Sequence, residues 1–435
     1  MSQGEAAGKQ VLFAQAEEAL AGGKSPRSGV LWRWFVPGRI EVFGKHTDYA
    51  GGRSLVCPLE RGLCIVAAPR DDAILHVTDA VSGASTKIPL AKKDADGSAD
   101  WTVYPRTVAR RVARDFPGPL AGVDLALASD LPRAAGLSSS SALIVAVFTA
   151  LAERNRLAEH PVWRKALVSC TELAEYLGAV EGGRSFGPLA GGSGVGTFGG
   201  SEDHAAILCG QAGHVSLFSF CPVRLEKTIR LPAGLTFVVG VSGVAAEKTG
   251  SALQLYNRAS LAAAAILELW RSATGRADAT LAGAVRSSAE APERMREILR
   301  QTGHPSFQSG ELPGRFEQFY QESELIVPAA AEALAGNVLD ALGELARRSQ
   351  AGAERGLGNQ VKETTELVRL ALELGAVAAS AFGAGFGGSV WALVESLKAA
   401  TFREEWAKAY RRKLPRAGAG ECFVTGAGPA LQMLT

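Results

Sequence analysis

The stretch Asp130-Leu131-Pro132-Arg133-Ala134-Ala135-Gly136-Leu137-Ser138-Ser139-Ser140-Ser141-Ala142-Leu143 constrains the fold more than any other part of the chain. Residues 123–128 before it alternate, which predicts a strand, and residues 138–151 open a long apolar helix. A strand therefore hands over to a buried helix through one glycine and four consecutive hydroxyls. Glycine lets the backbone approach a ligand closely. Serines at a helix start set hydroxyls beside unpaired N–H groups at the positive end of the dipole, which suits a phosphate group. A helix cap with redundant serines is the plainer reading, although a single serine caps a helix.

Three further segments carry candidate chemistry. Pro37-Gly38-Arg39-Ile40-Glu41-Val42-Phe43-Gly44-Lys45-His46-Thr47-Asp48-Tyr49-Ala50-Gly51-Gly52 runs from a predicted strand over residues 39–43 into a turn. That turn packs a cation, an imidazole and a carboxylate within four residues, a means of holding a hydroxylated ligand or simply a polar hairpin. Gly200-Ser201-Glu202-Asp203-His204 follows a loop and reads either as a catalytic carboxylate site or as a helix start capped by Ser201. Gly383-Ala384-Gly385-Phe386-Gly387-Gly388 fits GxGxxG formally, as does the run from Gly194 to Gly199. Neither lies between a strand and a following helix, which argues against a dinucleotide-binding fold. Gly23-Lys24-Ser25 has only the tail of a phosphate-binding loop, with Glu18 where its first glycine belongs.

Glycine supplies 50 of the 435 residues, more than the average share of about 7 %. The excess is clustered: residues 182–200 hold nine glycines in 19 positions, predicting a flexible loop ahead of Asp203 that acts as a lid or specificity loop. The length predicts two domains, over residues 1–228 and 229–435, with the boundary near residues 222–231. The coarse pattern is mixed β and α in the first half, with strands over residues 30–36 and 56–69, and helix-rich in the second. Residues 8–23 and 162–180 each read as one helix.

A net charge of +2 and the absence of interleaved basic and aromatic residues argue against a nucleic-acid partner. Arg411-Arg412-Lys413 reads as a solvated helix end. The six cysteines include no CxxC pair and read as buried free thiols in a reducing compartment. The first residues lack a basic and apolar leader pattern, and no uncharged apolar run of about 18 residues occurs. A cytoplasmic protein without a membrane span is expected.

The segments together resemble the GHMP kinases, and the first is similar to the galactokinase pattern Gly-Arg-Val-Asn-Leu-Ile-Gly-Glu-His-Thr-Asp-Tyr. Here the chain reads Gly38-Arg39-Ile40-Glu41-Val42-Phe43-Gly44-Lys45-His46-Thr47-Asp48-Tyr49. The resemblance implies an α+β, two-domain GHMP kinase fold. Its N-terminal mixed α/β domain has ribosomal-S5-like topology, its C-terminal α+β domain is ferredoxin-like, and the active site lies in the interdomain cleft. It implies an ATP-dependent kinase for the anomeric hydroxyl of galactose or a similar sugar, with Mg²⁺, as a monomer or weak homodimer. Gly136, Leu137, Ser138, Ser139 and Ser140 would wrap the ATP phosphates, with Ser140 and Glu181 at Mg²⁺ and Glu175 as the fallback. Asp203 would be the catalytic base, stabilised by Arg39. Lys45, His46, Asp48, Gly200 and Tyr256 would occupy sugar-binding positions. Gly383, Gly385, Gly387 and Gly388 would support the site from the second domain.

Two departures bear on the substrate. Lys45 replaces a glutamate that contacts the sugar's distal hydroxyl in galactokinases. It would pair with the carboxylate of a uronic acid such as galacturonate, or else turn away toward Glu41 or another acid. Gly200-Ser201-Glu202-Asp203-His204 replaces Gly-Ile-Met-Asp-Gln. A non-catalytic sugar and ATP sensor is the other alternative, against which the presence of Arg39 and Asp203 argues.

Overall fold

A computed structural model describes residues 3–22, 29–90, 100–246, 250–415 and 420–434. The Gly23-Lys24-Ser25 segment and the last residue of the helix expected over 8–23 lie outside them. Its strands are β1 (Trp32–Phe43), β2 (Arg53–Pro69), β3 (Ile74–Asp79), β4 (Ser85–Pro89), β5 (Val123–Ser129), β6 (His214–Ser219), β7 (Arg224–Arg230), β8 (Leu235–Val241), β9 (Ala378–Phe382), β10 (Ser389–Glu395), β11 (Cys422–Thr425) and β12 (Gln432–Leu434). The first sheet runs β12-β1-β2-β5-β3-β4, with β6 on β2 and β7 on β6. Every pair in it is antiparallel except β3 with β5.

Alternation along β2 decides what covers each face. Leu63, Ile65 and Ala67 pack under the helices Val103–Asp115, Ser139–Arg154 and Cys170–Gly182. Val66, pointing the other way, meets Ala16 of the helix Gln3–Ala21, together with Ala126 and Ala128 of β5. Both faces are thus covered, as a largely apolar strand requires. The four-stranded second sheet is antiparallel in the order β11-β8-β10-β9, and helices intervene between β8 and β9 and between β10 and β11. That is the ferredoxin-like arrangement. The two sheets share a core in which Ile40, Val42 and Phe43 of β1 meet Phe237, Trp391 and Leu393. The C-terminus returns to the first sheet, where β12 pairs with β1 at Arg33–Phe35.

Several expected boundaries move. Pro37-Gly38 does not end a strand. β1 continues through it with a shift of register between Pro37 and Arg39, because proline has no N–H to donate and a bulge accommodates the loss. The helix expected over 162–180 is two, Pro161–Ala166 and Cys170–Gly182, since Ser169 and Glu172 form a capping box that starts the second. Residues 224–230, where the domain boundary is expected, form β7, an edge strand with one apolar side chain buried. The glycines 383–388 lie in a turn between β9 and β10 rather than after a helix, so they open no helix here either. Only Cys57 and Cys64 are buried, while Cys170 and Cys221 are exposed, so the expectation of six buried thiols fails. Arg411, Arg412 and Lys413 do form the last turn of the helix Ala399–Lys413.

Candidate active site

Residues on β1 alternate between core and cleft. Ile40 and Val42 enter the shared core, so Arg39 and Glu41 face the other way and line a cavity. Asp203 reaches the same cavity from the first turn of the helix Glu202–Cys209. Arg39 Nε donates to Asp203 Oδ1 at 2.8 Å, and Arg39 Nη1 donates to the Gly136 carbonyl at 2.6 Å. Glu202 Oε1 lies 3.7 Å from Arg39 Nε. Burial pulls the Arg39 guanidinium down, but Asp203, Glu202 and Glu41 outweigh it and hold the group above its ordinary value. Ser201 makes no side-chain cap to this helix, so the capping reading of that segment does not hold.

The Gly136 segment borders a second, larger cavity that Arg39 and Asp203 also touch. Gly136 and Ser138 both take positive φ, +71° and +64°, and Ser138 gives no side-chain cap to the helix Ser139–Arg154. Its buried Oγ has no hydrogen-bond partner among the described residues. Ser139 and Ser140 line this cavity beside it. The hydroxyl that meets the carboxylates is Ser141, not Ser140: its Oγ donates to Glu181 Oε2 at 2.9 Å and lies 3.1 Å from Asp203 Oδ2. One residue along a helix turns a side chain by about 100°. Within a run of four serines only the structure separates the two. Glu175 instead accepts from the Val223 N–H at 3.1 Å, which removes it as the alternative to Glu181. His204 Nε2 lies 3.3 Å from Glu181 Oε2.

The opposite wall comes from the turn after β1. Asp48 Oδ1 accepts from the Tyr49 N–H at 2.8 Å and Oδ2 from the Glu202 N–H at 3.1 Å. Burial raises the Asp48 carboxyl above its ordinary value, and those two N–H groups partly offset the rise. His46 Nδ1 is 3.1 Å from the Tyr49 hydroxyl, and Nε2 is 3.2 Å from the Ala384 carbonyl. The Tyr256 ring sits 5.6 Å from that of His46. Gly200 fits because a Cβ there would collide with the Asp48 carboxylate. Arg315, which no local pattern flagged, donates to the His46 carbonyl at 2.5 Å and to the Tyr49 hydroxyl at 3.1 Å.

Lys45 is not in the cleft. It is 1 % exposed, and its Nζ donates to Ser349 Oγ at 2.7 Å and Ser380 Oγ at 2.9 Å. Ser349 in turn donates to Glu322 Oε1 at 2.8 Å. A buried ammonium needs such partners, and it is directed into the core rather than at a ligand. The expectation of a substrate-binding Lys45, and with it the uronic-acid reading, is therefore corrected. The glycines of the second domain sit behind the Gly136 segment. The Ser389 hydroxyl donates to the Ala135 carbonyl at 2.7 Å, and a Cβ on Gly383 would press on the Gly136 carbonyl. Gly385 and Gly387 pack against Asn359 and Val244, and the Gly388 N–H donates to the Val244 carbonyl at 2.9 Å.

Sequence comparison decides the family. A galactokinase from Chloroflexus aggregans is 32 % identical over 371 residues, covering 84 % of each chain. The chain belongs to the galactokinase family of GHMP kinases. These enzymes are ATP-dependent phosphotransferases acting on a hydroxyl group. The galactokinase galactose-binding signature matches residues 23–69, the GHMP kinases N terminal domain residues 103–211, and the GHMP kinases C terminal region residues 330–412. A galactokinase from Roseiflexus sp. is 29 % identical, covering 86 % of each chain. The crystal structure of Lactococcus lactis galactokinase complexed with galactose superposes with a TM-score of 0.78 at 20 % identity, over 97 % of this chain and 100 % of that one. The crystal structure of L. major mevalonate kinase in complex with R-mevalonate superposes with a TM-score of 0.55 at 16 % identity, over 93 % of this chain and 97 % of that one. The two-domain GHMP kinase fold is thus that of the chain.

Proposed function

We propose that this protein transfers the γ-phosphoryl group of ATP to the anomeric hydroxyl of galactose. The observation that carries the reading is the Arg39–Asp203 pair, 2.8 Å apart, at the point where the sugar-motif cavity and the Gly136-segment cavity meet. The galactokinase relatives support galactose as the acceptor.

The residue roles follow from the chemistry of phosphoryl transfer, in which positioning and charge neutralisation dominate. Gly136, Leu137, Ser138, Ser139 and Ser140 surround the phosphates, and the orphaned Ser138 hydroxyl supplies a donor there. Asp203 takes the proton of the sugar hydroxyl as that oxygen turns on the phosphate. Arg39 fixes the Asp203 carboxylate and offsets negative charge gathering on the transferred group. His46, Asp48, Gly200 and Tyr256 form the sugar side. The Glu181 carboxylate and Ser141 hydroxyl, already 2.9 Å apart, fit Mg²⁺, which commonly takes one or two protein ligands together with nucleotide phosphates and water. When bound, Mg²⁺ neutralises phosphate charge. Among the described residues no cluster of three or more His, Cys, Asp or Glu stands ready for a metal, in keeping with a site completed by the nucleotide.

No helix among the described residues is long and apolar enough to cross a membrane. A cytoplasmic monomer or weak homodimer completes the proposal, to be checked by light scattering on a sizing column. A coupled ADP-release assay over galactose, galacturonate, galactosamine and arabinose tests the activity. Galactose is expected to turn over fastest; tight galactose binding without ADP release would instead establish a sensor.

A further inference from the structure

Position by position against the galactokinase pattern, this chain exchanges an amide for an acid at Glu41 and an acid for a cation at Lys45. Lys45 leaves the cleft, as shown above, so the acid that the pattern places at that position is missing from the sugar wall. Glu41 remains in the cleft. It is 3 % exposed, lines the same cavity as His46, Asp48 and Asp203, and its Oε1 has no hydrogen-bond partner among the described residues. A buried carboxyl oxygen without a partner costs stability. A protein retains such a group where a ligand supplies the missing donor. The Arg39 guanidinium and the Lys45 ammonium lie near enough to attract the carboxylate, and neither hydrogen-bonds it.

The strand sets which part of a sugar Glu41 faces. Arg39 and Glu41 are two residues apart on one face of β1, with regular pairing between them, Arg39 opposite Pro58 and Glu41 opposite Val56. Two residues of strand span about 7 Å, the scale of one pyranose ring. Arg39 and Asp203 mark the reacting end. Glu41 lies further along the strand toward the turn that holds His46 and Asp48. A sugar with its anomeric oxygen at Asp203 therefore presents its remote hydroxyls toward Glu41.

We propose that Glu41 is a specificity-determining residue whose carboxylate accepts a hydrogen bond from a hydroxyl at the end of the sugar remote from the anomeric carbon, supplying the acid absent at position 45. The proposal rests on the sugar-kinase reading above. It explains why an unpaired acid is kept beside two other carboxylates, Glu322 and Asp203, that make its burial worse.

Calorimetric titration of the full-length protein with galactose, 2-deoxygalactose, 4-deoxygalactose and 6-deoxygalactose tests it, with wild type, Glu41→Ala and Glu41→Gln side by side. Glu41→Ala is expected to weaken galactose binding 10- to 100-fold. The loss is expected in full for 2-deoxygalactose and to vanish for whichever of the 4- or 6-deoxy sugars lacks the bonded hydroxyl. Glu41→Gln keeps the shape, so its Tm is expected to rise while galactose binding weakens, a pairing that a merely structural residue does not give. Unchanged galactose affinity in both variants, or an equal loss on all four sugars, overturns the proposal. Wild type that binds galactose without releasing ADP from ATP sinks the kinase reading alone, because the affinity comparison still stands. Wild type that binds none of the four sinks both.

Discussion

At the scale of single residues, the site is governed by carboxylates crowded round one arginine. Glu41, Glu202 and Asp203 all act on Arg39, while Asp48 adds to the negative potential at Glu202. Burial, then Glu41 and Asp48, raise the Glu202 carboxyl well above its usual range. Ser54 donates to Glu202 at 2.7 Å. Burial pushes Glu41 up from 4.5 to about 7, with Arg39 and Lys45 pulling the other way. Between those values the unfolded chain has lost a proton that the folded chain keeps, so Glu41 erodes stability as pH rises through that window. The Tm gain of Glu41→Gln over wild type should thus be larger at pH 8 than at pH 5; equal gains would contradict the burial argument. Asp203→Asn should lower kcat by about 10² to 10⁴ while galactose affinity, read by calorimetry, stays within a few-fold. Lys45→Glu would restore the usual galactokinase residue, yet here it sets a third acid beside Glu41 and Glu322. We expect it to destabilise by about 3–5 kcal/mol in urea unfolding, because a buried charge loses its partners. An unchanged midpoint would show that Lys45 is not held by Ser349 and Ser380.

At the scale of elements, the loop over residues 182–200 is the region where sequence and structure differ most. Its glycines predict freedom, and a loop it is. What the sequence hid is how the loop is tied. Arg110, Arg111 and Arg114, on one face of the helix Val103–Asp115, donate to the carbonyls of Ser193, Arg184 and Gly191 at 2.7, 2.8 and 2.9 Å. Asn257 accepts from the Phe198 N–H at 2.9 Å and donates to the Gly196 carbonyl at 2.9 Å. The basic face of that helix was legible; its target, 73 to 83 residues away, was not, because backbone carbonyls leave no mark in a sequence. Arg114→Ala should speed amide hydrogen exchange over residues 186–196 and raise KM for the sugar several-fold, with KM for ATP unchanged. Exchange identical to wild type would remove the loop from any role as a lid. The strand-to-helix junction at Gly136 was the opposite case. Alternation, a single glycine and a serine run set its architecture locally, and only the choice between Ser140 and Ser141 depended on helix phase.

At the scale of the whole molecule, the cleft exists because two sheets share one core through β1. The same strand gives Ile40 and Val42 to that core and Arg39 and Glu41 to the site, so the fold and the chemistry are fixed by one alternation that the sequence showed from the start. The return of β12 to β1 and the bracing of the Gly136 segment by Ser389 join distant parts of the chain, and short-range pattern does not reveal them. Nor does it reveal Arg315, which reaches the His46 carbonyl across 269 positions. The central claim is that the Arg39–Asp203 pair serves the anomeric oxygen of galactose. Phosphorus NMR of a reaction containing the protein, ATP, Mg²⁺ and galactose tests it most directly. We predict one new phosphomonoester resonance coupled to the anomeric proton, lost in Asp203→Asn; phosphate on any other carbon, or none on the sugar at all, would contradict the account.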